Sequence, residues 1–271
     1  MPVPRVPRLV TAGPPASFSA VRIALRNGGS VVLAVASLLL APSICAAAGS
    51  APGAAGEFEG ATVASLSNFK TVSHWAYPRA QAAAYARPTT RSRVVGRLRF
   101  LTADGEAALY LTLRSYALGQ GKWILVSLPG RPNGSTGWVP ASALGQLHAT
   151  REYLRVDRET LRATLYRRGR AIWRAPVGVG RPRLPTPSGR FYVTGKLTAI
   201  GGPFYGPYAL PTSAYAPTLS EWPGGGIITI HGTDEPQLIP GRPSHGCIRL
   251  RNRDIADLWR LVGVGTPIEV V

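Results

Sequence analysis

Beyond about residue 72 the apolar residues of this chain come in short alternating runs cut apart by glycine and proline, and one stretch alone keeps helical spacing. Alternation over four to eight residues marks half-buried strands, whereas a helix needs apolar positions at i, i+3, i+4 and i+7. Arg93–Phe100, Leu109–Arg114, Trp123–Leu128 and Gly137–Val139 alternate, and turn residues divide them, Pro132-Asn133-Gly134 most clearly. Four or five such strands in about 75 residues predict a small β-barrel over 73–148. From Arg151 the pattern resumes in Tyr153–Val156, Thr160–Tyr166 and Ala171–Val177, with Arg168-Gly169 as a hairpin turn. Pro185–Gly189 is a break, Arg190–Gly195 a strand, Gly201–Ser220 an aromatic loop, Gly226–Ile230 a buried strand, and Pro267–Val271 the closing strand. The helical stretch carries Ile255, Leu258, Trp259 and Val262, with Asn252 as expected N-cap, Asp254 in the first turn and Gly263 past the end.

The N-terminus reads as an export signal. Residues 1–21 hold no acid, Arg22 and Arg26 precede the apolar Val31–Leu40, and Pro42 closes that run. Ten residues are too few to span a bilayer, which needs about 20. Ala46-Ala47-Ala48 offers the small side chains that a signal peptidase reads, so cleavage is expected after Ala48, with an uncleaved anchor as the alternative. Lipidation of Cys45 is disfavoured by the bulky Ile44 before it. The expected organisation is a signal peptide over 1–48, a flexible linker over 49–72, the small barrel over 73–148 and a second domain over 150–271. Losing residues 1–48 removes four arginines and no acid, which takes the net charge from +18 to +14. It also removes Cys45, so the exported protein keeps a single cysteine, Cys247. Two cysteines exclude a disulfide framework. In an oxidising compartment a lone thiol is accidental, buried or reactive.

Two segments carry the chemistry, Ile230-His231-Gly232-Thr233 and Ser244-His245-Gly246-Cys247-Ile248-Arg249-Leu250. A thiol of ordinary pKa is only a few per cent thiolate at neutral pH, and a nearby imidazole can take its proton. His231, at the end of a strand, is the expected base, and the Gly232 carbonyl is open to orient its ring. His245-Gly246-Cys247 suits a tight turn whose backbone N–H groups form an oxyanion hole. Gly246 matters there because a side chain would crowd an incoming carbonyl. Zinc ligation by His231, His245 and Cys247 lacks an apparent fourth ligand, so neither metal nor organic cofactor is called for. Tyr205, Tyr208, Tyr215 and Trp222 either wall a substrate cleft or pack their own loop.

These two segments, together with Pro185–Val193 and the closing Gly265-Thr266-Pro267-Ile268-Glu269-Val270, resemble the L,D-transpeptidase catalytic domain of bacterial peptidoglycan synthesis from about Arg151 to Val271. Trp123–Leu128 followed by Gly137-Trp138-Val139-Pro140 resembles bacterial Src-homology-3-type domains. The resemblance implies a mainly β protein: a β-sandwich or barrel of the L,D-transpeptidase type with one helix, preceded by a small β-barrel. It implies Cys247 as acylated nucleophile, His231 as base and acid, and Gly232, His245 and Gly246 as supporting residues. Ser244, Arg249 and Tyr208 are expected at the substrate; many members carry Asn where this chain has Arg249, and a guanidinium there suits a stem-peptide carboxylate. The implied partners are peptidoglycan stem peptides as donor and acceptor, acting in the cell envelope. Anionic wall polymers suit the arginine excess, nucleic acid does not suit an exported protein, and a monomer is expected. Two other readings remain: an L,D-carboxypeptidase with water as acceptor, and a non-catalytic wall binder.

Overall fold

The computed structural model describes residues 61–271 apart from Asp104, Gln120, residues 199–201 and residues 222–224. The expected export segment and Trp222 therefore lie outside the described residues. Among those described, no helix is long and apolar enough to cross a membrane.

The first part of the chain builds β1 (Thr62–Ser65), β2 (Ser73–Ala76), β3 (Ala83–Tyr85), β4 (Val94–Arg97), β5 (Tyr110–Leu118), β6 (Gly121–Ser127), β7 (Thr136–Pro140) and β8 (His148–Thr150). They form one sheet in the order β4-β3-β7-β6-β5-β2-β8, with β1 added to β5. Alternate residues such as Leu98, Ala84, Val126 and Val139 point into its core. The linker expected over 49–72 is thus too long, because Thr62–Ser65 pairs antiparallel with Arg114–Ala117. All four of its side chains are exposed. A strand held by backbone bonds alone leaves no apolar alternation to read.

The second part builds β9 (Glu152–Asp157), β10 (Arg162–Arg167), β11 (Arg170–Pro176), β12 (Gly178–Gly180), β13 (Gly189–Tyr192), β14 (Leu197–Thr198), β15 (Tyr208–Tyr215), β16 (Ile227–His231), β17 (Gly241–Ser244), β18 (Ile248–Arg249), the helix α1 (Asn252–Leu261) and β19 (Pro267–Val270). One sheet runs β11-β10-β9-β19-β13 and the other β14-β15-β16-β18-β12-β17. Leu154, Leu165, Val179, Leu210, Ile230, Ile248, Ile255, Leu258 and Ile268 share one buried core. The fold is mainly β with one α-helix among the described residues, as expected.

Two expectations need correction here. The loop expected over Gly201–Ser220 contains the long strand β15, whose residues 209–214 are all buried. Burial on both faces abolishes alternation, and Pro211 argues locally against a strand. The chain accommodates Pro211 with a register break in its pairing to β16. There the Thr212 hydroxyl donates to the Ile228 carbonyl at 2.6 Å. The helix is where expected, but Arg251 holds the N-cap position and no side chain caps the helix. Asn252 is its first residue, and its side chain is used elsewhere.

The two parts pack on one another. Trp75, Leu109 and Leu111 of the first form a separate buried cluster with Tyr192 of the second. The Tyr192 hydroxyl donates to the Leu109 carbonyl at 3.0 Å. A Cβ on Gly265 would sit 2.1 Å from the Trp75 ring, so this contact is tight.

Candidate active site

Sheet topology brings the two chemical segments together. Strands β16 and β18 lie side by side and parallel, with Ile230 opposite Ile248 and His231 opposite Arg249. β18 is only two residues long, so Cys247 immediately before it lies level with Thr229, two positions from His231 and on the same face of the sheet. His231 and Cys247 line one pocket with Ser244, His245 and Arg249. Its remaining walls are Phe204, Tyr205, Ala216, Leu219 and residues 226–228.

His231 is 1% exposed and its Nδ1 lies 2.6 Å from the Gly232 carbonyl oxygen. A carbonyl only accepts, so Nδ1 carries the proton and Nε2 is left with its lone pair. Burial is the main cause that lowers the His231 pKa to about 4, and the charge of Arg249 adds to it against the opposing Gly232 bond. Burial likewise pushes the Cys247 thiol up, while a bond from the Thr229 backbone and the Arg249 charge pull it down. Both shifts favour the uncharged forms, which argues against the thiolate–imidazolium pair that the sequence suggests.

The Gly232 carbonyl is held by a close-packed support. A Cβ on Gly232 would lie 2.3 Å from Asn252 Oδ1 and 3.0 Å from the Gly206 Cα, so only glycine fits. Asn252 Oδ1 accepts the Thr233 N–H at 2.9 Å, which ties the loop after β16 to the start of α1. This bond replaces the helix cap expected of Asn252.

The turn before Cys247 is equally fixed. The Ser244 hydroxyl donates to the Cys247 carbonyl at 2.6 Å and accepts the Gly246 N–H at 3.1 Å. Ser244 is 1% exposed, so its hydroxyl shapes the turn from within. Gly246 has φ +124°, a conformation that side chains rarely adopt. Thr186 Oγ1 donates to the Gly246 carbonyl at 2.7 Å and accepts the Gly180 N–H at 2.9 Å. With the Gly246 N–H spent on Ser244, the Cys247 N–H is the better candidate oxyanion donor of the two. His245 is half-buried at the pocket, and burial followed by the Arg181 and Arg249 charges lowers its pKa.

Arg249 is 4% exposed. Its Nη1 bonds Glu235 Oε2 at 2.9 Å, its guanidinium lies 4.7 Å from the Phe204 ring centre, and its buried Nε has no partner. Tyr208 is misplaced by the sequence reading. It sits on β15 with its ring against Trp259 at 4.9 Å and does not line the pocket. Tyr205 and Phe204 stand there instead, with ring centres 4.8 Å and 6.2 Å from that of His231. Tyr215 lies beneath Arg131, away from the pocket lining. Phe204, Glu235 and Thr186 were assigned no role from the sequence; the aromatic cluster from Phe204 to Tyr215 signalled the first, the Pro185–Val193 motif contains the last, and nothing signalled Glu235. Among the described residues no group of three or more His, Cys, Asp or Glu side chains is placed to hold a metal ion.

Residues 151–270 match the YkuD family, the L,D-transpeptidase catalytic domain. A Bacillus licheniformis relative named as the L,D-transpeptidase YkuD is 37% identical over 106 residues, which cover 39% of this chain and 57% of that protein. The chain likewise covers 58% of the Bacillus subtilis YkuD, so it spans little more than half the length of these relatives. YbiS of Escherichia coli, also named as an L,D-transpeptidase, is 28% identical over 216 residues, covering 71% of this chain and 70% of that one. The solved catalytic domain of the Enterococcus faecium L,D-transpeptidase is 26% identical, with a TM-score of 0.35 over 44% of this chain and 95% of that one. The segment matched by the YkuD family begins one residue before β9 and ends with β19, so it contains both sheets of the sandwich and every residue of the His231–Cys247 pocket named from the second part.

Proposed function

We propose that the YkuD domain forms cross-links between third residues of peptidoglycan stem peptides through a thioester on Cys247. The observation that carries this reading is the shared pocket of Cys247 and His231, with Nδ1 of the imidazole tied to the Gly232 carbonyl. As sulfur attacks the carbonyl carbon of the donor's third residue, its proton passes to His231 Nε2. The tetrahedral oxyanion is held by backbone N–H groups of the turn, Cys247's foremost. Collapse breaks the C–N bond, and the leaving D-Ala amine takes the proton from Nε2. An acceptor side-chain amine then attacks the thioester, gives a proton to Nε2, and that proton returns to the departing sulfur.

A His231 pKa near 4 fits this cycle. The imidazolium is unfavourable enough to surrender its proton promptly to an amine, while the Gly232 carbonyl steadies it in the meantime. Arg249, buried with an unpartnered Nε beside the pocket, is proposed to receive a carboxylate of the stem peptide. The site of action is the cell envelope, with the arginine-rich surface facing anionic wall polymer.

Incubation with a tetrapeptide stem donor, with and without an acceptor amine, tests the reading. Cross-linked dimer formed by the wild type and absent with Cys247→Ala is the expected outcome. Tripeptide as the sole product, acceptor present, would make the protein an L,D-carboxypeptidase. Cross-links formed by Cys247→Ala would falsify the mechanism, and no product at all favours a wall binder.

A further inference from the structure

We propose that Arg131 and Asn133, in the β6–β7 turn of the first domain, are positioning residues for the catalytic pocket; the proposal rests on the acyl-transfer reading above. Arg131 Nε donates to the Ala216 carbonyl at 2.8 Å, and its Nη2 donates to the carbonyls of Leu219 at 2.9 Å and Gly225 at 3.0 Å. Its guanidinium also lies 5.2 Å from the Tyr215 ring centre. Asn133 pairs with the backbone of Tyr215 in both directions, donating from Nδ2 at 2.7 Å and accepting at Oδ1 at 2.9 Å. Ala216, Leu219 and Gly226 in turn line the pocket that holds Cys247 and His231. The Ala216 N–H donates to the Gly226 carbonyl at 2.8 Å, which ties these two wall residues together.

The arrangement needs an arginine. Three carbonyl oxygens converge on one group, and without a cation their dipoles would repel. A guanidinium presents its donors in a rigid plane and can serve carbonyls on two edges at once, whereas an ammonium is a point charge on a flexible stem. The turn that carries it is itself fixed: the Ser135 hydroxyl donates to the Pro132 carbonyl at 2.7 Å, and the Leu128 N–H donates to the Ser135 carbonyl at 2.8 Å. The first domain is docked independently through Trp75, Leu109, Leu111 and Tyr192. Docking thus has a second anchor, and the Arg131 bonds go to Ala216 and Leu219 of the pocket wall and to Gly225 beside it. That wall holds the donor without touching the reacting sulfur, so its loss weakens donor binding more than it slows chemistry.

The test uses the full chain with Arg131→Ala, Arg131→Lys and Asn133→Ala, and Arg170→Ala as a control at the exposed start of β11. Donor KM and kcat, amide exchange, and Cys247 alkylation by iodoacetamide and by a bulky maleimide are measured. Arg131→Ala is expected to raise KM roughly tenfold with kcat within about twofold, the loss of charge-assisted bonds made equally in ground and transition states. Exchange at Tyr215 and Ala216 should accelerate while Leu154 and Leu165 stay protected, and the maleimide should gain rate more than iodoacetamide. Arg131→Lys should recover part of the KM. An unchanged KM, a fall in kcat alone, or exchange rising equally at Leu154 and Leu165 overturns the proposal. If the wild type turns over no donor, the acyl-transfer reading fails separately, and exchange and the maleimide-to-iodoacetamide ratio still decide whether Arg131 holds the wall.

Discussion

Alkylation of Cys247 by iodoacetamide should climb by about tenfold per pH unit from 6 to 9, because only thiolate reacts. An ordinary thiol is at most a few per cent ionised at pH 7. Burial raises the Cys247 pKa further, and the Thr229 bond and Arg249 charge offset this only in part. An ion pair with His231 would instead leave the sulfur almost wholly ionised at that pH, giving a rate roughly a hundredfold higher. The lowered pKa of His231, about 4, argues the same way, since an imidazole reluctant to hold a proton does not keep its neighbour ionised. His231→Gln should therefore change the alkylation profile little while abolishing turnover. A wild-type rate that levels off from about pH 6, and a His231→Gln protein that loses this plateau, would refute the neutral pair and restore the resting thiolate.

Other perturbations test the surrounding support. The His231 pKa lies below its ordinary 6.5, so the unfolded chain binds the proton first; stability is full above about 6.5 and falls as pH drops to about 4, by about 3 kcal/mol. Urea titrations across that range should show the slope in the wild type and a shallower one in His231→Gln, the remainder coming from His245 and from carboxylates held below their ordinary range. Asn252→Ala strands the buried Thr233 N–H and should cost about 1–3 kcal/mol in the same assay, with turnover falling as the Gly232 carbonyl loosens. Glu235→Gln keeps a hydrogen bond to Arg249 but leaves that buried guanidinium without its counter-charge, so urea titration should show a loss of about 1–3 kcal/mol.

Much of this molecule is legible in its sequence where one face is buried and the other wet. Strands β9, β10 and β11, the Arg168-Gly169 turn and α1 follow from apolar spacing and turn chemistry. The meeting of His231 and Cys247 in one pocket is anticipated too, because a lone cysteine beside glycine and histidine has few structural uses. Elements held by backbone bonds without an alternating apolar face are hidden: β1 is exposed throughout, and β15 is buried on both sides around a proline. Side-chain bonds between distant segments are hidden as well. Nothing near Asn252 announces the Thr233 N–H, and nothing near Arg131 announces the carbonyls more than eighty residues away. The pKa shifts of the thiol and the imidazole are hidden for a related reason, since they depend on how much protein surrounds both groups.

The mass of the intact protein after exposure to a carbapenem, followed by peptide mapping, addresses the nucleophile directly. One adduct equal to the drug, carried by the peptide containing Cys247 and missing from Cys247→Ala, is the predicted result. An unmodified protein, or an adduct on any other side chain, would contradict the assignment of this sulfur as the acyl carrier.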